Sequence, residues 1–323
     1  MRVTRNGLAG VLAVLALSAC QGDGSSSSAA AASPASEPSP TSSGGELVFQ
    51  TRGSIWVQTP DGSRRNAAPG VQTDNQHPDW SPDGSQIAFE ANFNTIWTVG
   101  RDGTGEQERF TCEAPCANAF EPAWSPDGTT LAFIHILGDG THTVSSQLMG
   151  LDVESGATSV LYEDTSGDVW EYTPRWSGDG TRLVVEHDVF ASNRLDEEQT
   201  LSSELRVIDP TTGTATPLKG TVGAEAPDWS PTADLIVFSD DGNLFTIHAD
   251  GSHKKRLTRF KARRESAIQP TFTPDGTGVV FTWVTGVQGS GVESTVAAVL
   301  RLSDGTVTAV QGADGATHAR LQP

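Results

Sequence analysis

In residues 77–90, HPDWSPDGSQIAFE, polar and apolar positions alternate with a strand-like period on both sides of a four-residue turn. A first strand ends at Trp80, the turn is Ser81-Pro82-Asp83-Gly84, and a second strand covers residues 86–89. Proline presets φ, aspartate bonds back to nearby backbone and glycine accepts a positive φ, so the turn has a physical cause. The same pattern returns at 121–133, 173–185, 226–238 and 269–281. Its anchor aromatics are Trp80, Trp124, Trp176, Trp229 and Phe272, at spacings of 44, 52, 53 and 43 residues. A period of roughly 40–50 residues matches one four-stranded propeller blade. Third strands at 94–98, 204–208 and 243–247 run into Asp-Gly or Asp-Pro turns, and fourth strands follow, as at 108–111 and 256–258.

The two ends of the chain complete each other. Residues 318–323, HARLQP, align with HPDWSP and place Leu321 where Trp80 stands. They make a first strand with no blade behind it. Residues 46–49 and 54–58, the turn Pro60-Asp61-Gly62 and a weak strand at 65–67 make a blade lacking its first strand. The expected fold is therefore all-β: a six-bladed propeller over residues 46–323, closed by pairing the C-terminal strand with the N-terminal ones. Such closure removes the exposed sheet edges of an open array.

The PxWSPDGxxIAF repeat resembles that of the TolB-type, WD40-like propellers, a fold that also accompanies prolyl-oligopeptidase-type enzymes. The resemblance covers about residues 45–323 and rests on five internal copies. It implies the propeller fold. TolB itself carries a further N-terminal domain where this chain has a linker, and the peptidases carry a G-x-S-x-G nucleophile elbow that this sequence lacks. The expectation is a noncatalytic module.

Residues 1–19 read as a signal peptide: Arg2 and Arg5 precede an apolar run over 8–17 that is shorter than the roughly 20 residues of a membrane-spanning helix. Leu17-Ser18-Ala19-Cys20 resembles a bacterial lipobox, which makes Cys20 the expected lipidated first residue of an exported protein anchored on the outer face of a bacterial membrane. The following stretch to residue 45 is almost entirely Gly, Ser, Ala, Pro and Thr, with Asp23 and Glu37 its only charges. It cannot bury enough apolar surface to offset the entropy of ordering, and reads as a flexible tether.

A net charge of −19 speaks against nucleic acid and anionic lipid surfaces as partners. Lys254, Lys255, Arg256, Arg259, Lys261, Arg263 and Arg264 form a local basic run, either a patch for an anion or acidic partner or a solvated turn. Cys112 and Cys116 are expected to pair as a disulfide, since export places them in a permissive compartment and no further metal ligands lie nearby.

The SPDG and second DG turns share one face of the ring, and the loops between second and third strands and between blades share the other. Long loops are expected there at 135–146, 187–203 and 284–295. Function usually resides in the variable loops of a regular scaffold. Three residues before each anchor stand His318, His77, Glu121, Thr173, Ala226 and Gln269 in ring order. His318, His77 and Glu121 come from consecutive blades and offer a ligand set for a divalent metal at the channel mouth, against polar lining as the plain alternative. Trp170 and Tyr172 lie outside the repeat's aromatic positions and offer either a stacking surface for a sugar or peptide or a cap on the ring's edge. No metal or cofactor is required by any local motif. The reading is thus a lipid-anchored, monomeric propeller that binds an envelope protein, peptide or glycan, with a metal-dependent enzyme or solute-binding protein as the alternative.

Overall fold

The computed structural model describes residues 45–323 except 72–73, 196–198, 262–263 and 288–291. The signal peptide, Cys20, the tether up to residue 44 and Arg263 lie outside the described residues. The chain opens with β1 (Leu47–Thr51), β2 (Ser54–Gln58) and β3 (Arg64–Asn66). Blade 1 follows as β4 (Asn75–Trp80), β5 (Gln86–Ala91), β6 (Thr95–Gly100) and β7 (Gln107–Thr111). Blade 2 is β8 (Cys116–Trp124), β9 (Thr130–Gly138), β10 (Thr143–Asp152) and β11 (Thr158–Asp164). Blade 3 is β12 (Val169–Trp176), β13 (Leu183–Phe190), β14 (Thr200–Asp209) and β15 (Thr214–Pro217). Blade 4 is β16 (Glu225–Trp229), β17 (Leu235–Asp240), β18 (Asn243–His248) and β19 (Lys255–Arg256). Blade 5 is β20 (Glu265–Phe272), β21 (Gly278–Val287), β22 (Val292–Arg301) and β23 (Val307–Asp314). The last strand, β24 (Thr317–Leu321), joins the first three in the order β24-β1-β2-β3 and makes blade 6.

Every blade is a four-stranded antiparallel sheet. The closure pairs Leu47 with Leu321 and Val48 with Arg320, as the matching half-blades of the sequence require. The SPDG turns hold themselves by side chains. Ser81 Oγ donates to Asp83 Oδ1 (2.6 Å), the amide of Ser85 donates to the same oxygen (3.0 Å), and the amide of Gln86 donates to Ser81 Oγ (2.9 Å). The same set recurs around Asp127, Asp179 and Asp275, so these Ser, Thr and Asp residues are structural. Gly84 at φ 66° supplies the left-handed residue of the turn.

Apolar clusters fill the joints between blades. Phe120, Ile134 and Leu148 of blade 2 meet Leu183, Val185 and Ile208 of blade 3, and five phenylalanines on the second strands of all blades but blade 3, Phe49, Phe89, Phe133, Phe238 and Phe281, are fully buried. Trp80, Trp124 and Trp229 are buried in these joints as well.

Two of the three expected long loops are corrected. β9 runs to Gly138 and β10 starts at Thr143, and the β21–β22 ladder continues to the Val287–Val292 pair. Segments read as loop are largely taller hairpins, because an antiparallel pair that outgrows the ring still satisfies its own backbone groups. The sequence pattern reports the burial of the shared core and is weaker above it. The third segment is strand to Phe190 and again from Thr200. β19 is also shorter and earlier than the expected 256–258 strand.

Candidate functional site: the channel and the loop face

The innermost strand of each blade is an edge strand facing the channel, and each carries a register break next to its anchor. At this break His77, Glu121, Thr173, Ala226, Gln269 and His318 all adopt left-handed backbone, φ 47–56°. Non-glycine residues pay for that conformation with strain of about 1–3 kcal/mol each, so six equivalent cases point to a device of the repeat. Proline follows in five of the six blades, which suits a bulged edge strand where no donor is needed.

A bulge re-aims side chains and leaves an amide unpaired within the ladder. Side chains of neighbouring blades accept these amides. His77 N–H donates to Gln50 Oε1 (2.6 Å), Ala226 N–H to Glu186 Oε2 (2.8 Å) and His318 N–H to Gln269 Oε1 (3.3 Å). Glu121 N–H donates to Glu90 and Thr173 N–H to Glu121. Glu121 therefore has a structural task that the sequence reading did not assign.

The residues expected at the channel mouth are brought together. His77 Nδ1 lies 3.0 Å from Glu90 Oε1 and its Nε2 lies 3.5 Å from Glu121 Oε1. The His77 and His318 rings meet edge to face with centroids 4.2 Å apart. Burial disfavours charge on His77, but Glu90 and Glu121 outweigh it and raise the imidazole above its ordinary value. With a carboxylate near each ring nitrogen, the arrangement favours the imidazolium by charge.

One residue before the anchors lies a second polar layer that sequence reasoning missed. Arg320 Nη1 is 3.1 Å from Asp79 and 3.7 Å from Asp228, and Arg175 Nε is 3.7 Å from Asp228. The free oxygens accept amides across blade boundaries, Trp124 N–H on Asp79 (2.8 Å) and Phe272 N–H on Asp228 (2.7 Å). Burial, with Arg320 nearby, lowers Arg175 to about 10, and burial raises Asp228 against the pull of both arginines. Two acids and two bases thus cross-brace the channel from blades 1, 3, 4 and 6. The repeat signal for them was a polar residue beside five of the six anchors, Ala123 being the exception, in a strand that should be core.

Trp170 and Tyr172 pack with Phe120, at centroid distances of 6.3 and 5.6 Å, and Trp170 Nε1 donates to Thr143 Oγ1 (2.9 Å). Both rings are half-buried against the joint of blades 2 and 3. In the basic run, Lys254 donates to Gly220 O (2.8 Å) and lies over Phe245, and Arg256 Nε donates to Thr258 O (2.7 Å). Lys255, Arg259, Lys261 and Arg264 are exposed. Cys112 and Cys116 are disulfide-bonded.

The loop face carries exposed apolar side chains. Among the described residues the exposed large hydrophobics are Phe93 (40%), Val144 (52%), Val160 (50%), Leu201 (56%) and Val222 (68%). Phe93 lies between β5 and β6, Val144 and Leu201 begin third strands, and Val222 lies between β15 and β16, so four of the five share this face.

A closed ring of six blades with a braced channel and a decorated loop face defines a β-propeller scaffold, a class that hosts catalysis and pure recognition alike. The chain belongs to the TolB beta-propeller domain family, whose model matches residues 14–256. Among solved structures it is similar to an Agrobacterium tumefaciens protein assigned as TolB (17% identity, TM-score 0.59, 86% of this chain and 98% of that one). It also resembles a component of a nidogen/laminin complex (8% identity, TM-score 0.62, covering 87% and 99%). A third similar structure is puromycin hydrolase (16% identity, TM-score 0.54), where 84% of this chain covers 44% of the other. At these identities the likeness is one of fold. No curated protein matches the chain in sequence.

Proposed function

We propose that the chain is a noncatalytic binding module that presents its loop face to a protein of the cell envelope, held near the membrane by lipid on Cys20 and the tether that follows. The observation that carries this reading is the gathering of Phe93, Val144, Leu201 and Val222 on one face. Scattered single apolar residues need no explanation, but four on the variable face of an otherwise acidic protein favour docking there. The net charge of −19 limits unspecific association elsewhere on the surface.

The alternative, a metal-dependent enzyme or solute-binding protein using His77, Glu121 and His318, has less support. Glu90 and Glu121 raise His77 above its ordinary value and so favour its charged form, which has no lone pair to offer a metal.

The test is crosslinking with capture from the native envelope, with the full-length lipidated chain as bait and a Phe93→Ser, Val144→Ser, Leu201→Ser variant as control. One protein captured by the wild type and lost with the variant supports the reading. Equal capture by both overturns it.

A further inference from the structure

The blades also share a position five residues before the anchor, in the innermost strand or at the residue just before it. It holds Ala119, Ala224, Ala267 and Ala316 in four blades, all fully buried, and Asn75 in a fifth. The ring needs a small side chain there. In blade 3 the position is Glu171, likewise fully buried. Its strand partner on β13 is His187, 2% exposed, whose Nδ1 lies 3.0 Å from both Glu171 oxygens. Asp164, at the end of β11 on blade 2, completes a group in which one ligand atom from each residue lies within 4.8 Å of the others. Burying a carboxylate where the repeat elsewhere accepts alanine costs several kcal/mol unless it is compensated.

We infer that Asp164, Glu171 and His187 form a site for one divalent first-row transition-metal cation at the joint of blades 2 and 3. Two carboxylates neutralise a divalent ion, and a neutral imidazole adds a nitrogen donor that favours zinc-like ions over calcium or magnesium. Adjacent ligands each about 2.1 Å from such an ion stand roughly 3.0–3.4 Å apart, which the His187–Glu171 separation of 3.0 Å already satisfies. Asp164 lies at the loop-face edge of the joint and is only partly buried, so it gives the group access from solvent, with a ligand oxygen within 4.8 Å of the other two ligand atoms. Its orientation is held by Ser166, whose amide and hydroxyl donate to Oδ1 (2.9 and 2.6 Å), and by the Tyr162 hydroxyl at 3.4 Å from Oδ2. Those outer contacts are of the kind that orient metal ligands. Arg206, within electrostatic reach of Asp164 and Glu171, opposes a cation; its own charge is partly taken up by Glu204 at 3.0 Å. Three protein ligands leave open positions for water. The inference goes beyond the docking reading and does not rest on it.

The test is calorimetric titration of the chelator-stripped full-length protein with Zn2+, with thermal melting in Zn2+ and in chelator, and Ca2+ as the comparison ion. Wild type is expected to bind one Zn2+ and to melt higher with it. Glu171→Ala and His187→Ala each weaken binding at least tenfold and abolish the melting shift, whereas His135→Ala, the equivalent histidine of blade 2 facing Ala119, leaves both intact. Glu171→Ala installs the residue that four blades already use, so it folds, and in chelator it melts at or above wild type. No Zn2+ binding by wild type, or unchanged affinity in Glu171→Ala, overturns the site and leaves a buried ion pair.

Discussion

His77 Nε2 and Glu121 Oε1 stand 3.5 Å apart across the boundary of blades 1 and 2, and the other ring nitrogen of His77 faces Glu90. The pair is a proton-dependent clasp. Because His77 is raised above its ordinary value of about 6.5, its contribution to stability is fully present below that pH and is lost as pH rises through the raised value. His77→Asn is therefore expected to cost about 3 kcal/mol near pH 6, where it leaves two buried carboxylates without their cation, and less at pH 9. Urea denaturation of both proteins at the two pH values measures this. An equal cost at both would show that His77 acts by packing alone.

Arg320 joins Asp79 and Asp228 across the channel, so its removal takes the ion-pair partner of Asp79 and leaves Asp228 with Arg175 alone, 3.7 Å away. Arg320→Ala is expected to destabilise by about 3–5 kcal/mol. Replacing one partner as well, in Arg320→Ala with Asp79→Ala, recovers part of that loss, because one unpaired charge goes with it. A double-mutant cycle by equilibrium unfolding reads the coupling. Strictly additive costs would remove the brace from the account of the channel.

How much of this was readable beforehand differs by layer. Trp80, Trp124, Trp176, Trp229 and Phe272 declared the blades, and HARLQP declared the closure, because buried repeat positions constrain residue type strongly. His77, Glu121 and His318 were placed together correctly by register. The left-handed bulge beneath them was not legible, since His, Glu, Thr, Ala and Gln carry no common backbone preference that would announce it. Asp79, Arg175, Asp228 and Arg320 were missed because the position before the anchor varies in charge from blade to blade, and no single repeat shows which charges meet across the ring. Glu171 did carry a signal, a carboxylate in a column of alanines, visible only once all six inner strands are aligned.

The Cys112–Cys116 bond closes a very short loop at the start of blade 2. Loop entropy for so few residues gives about 2 kcal/mol at most. Reduction, or Cys112→Ser with Cys116→Ser, should leave a folded propeller with a slightly lower melting temperature. Loss of the folded state on reduction would mean that this bond organises β8 beyond its own loop.

The last strand tests whether the ring is one cooperative unit. Gln322 N–H donates to Glu46 O (2.8 Å), its side-chain amide donates to Gly84 O on blade 1 (2.9 Å), and Leu321 is buried opposite Leu47. Leu321→Ala removes packing and keeps the ladder; a cost of about 2–5 kcal/mol with an unchanged denaturant slope is expected. Deletion of residues 317–323 does more, since it leaves β1 paired with β2 alone and exposes an edge that can pair with another chain. Analytical ultracentrifugation of the deletion protein should find aggregated or non-cooperatively unfolding material. A monomer that still unfolds in one sharp transition would show that five blades and a partial sixth hold the ring without the clasp.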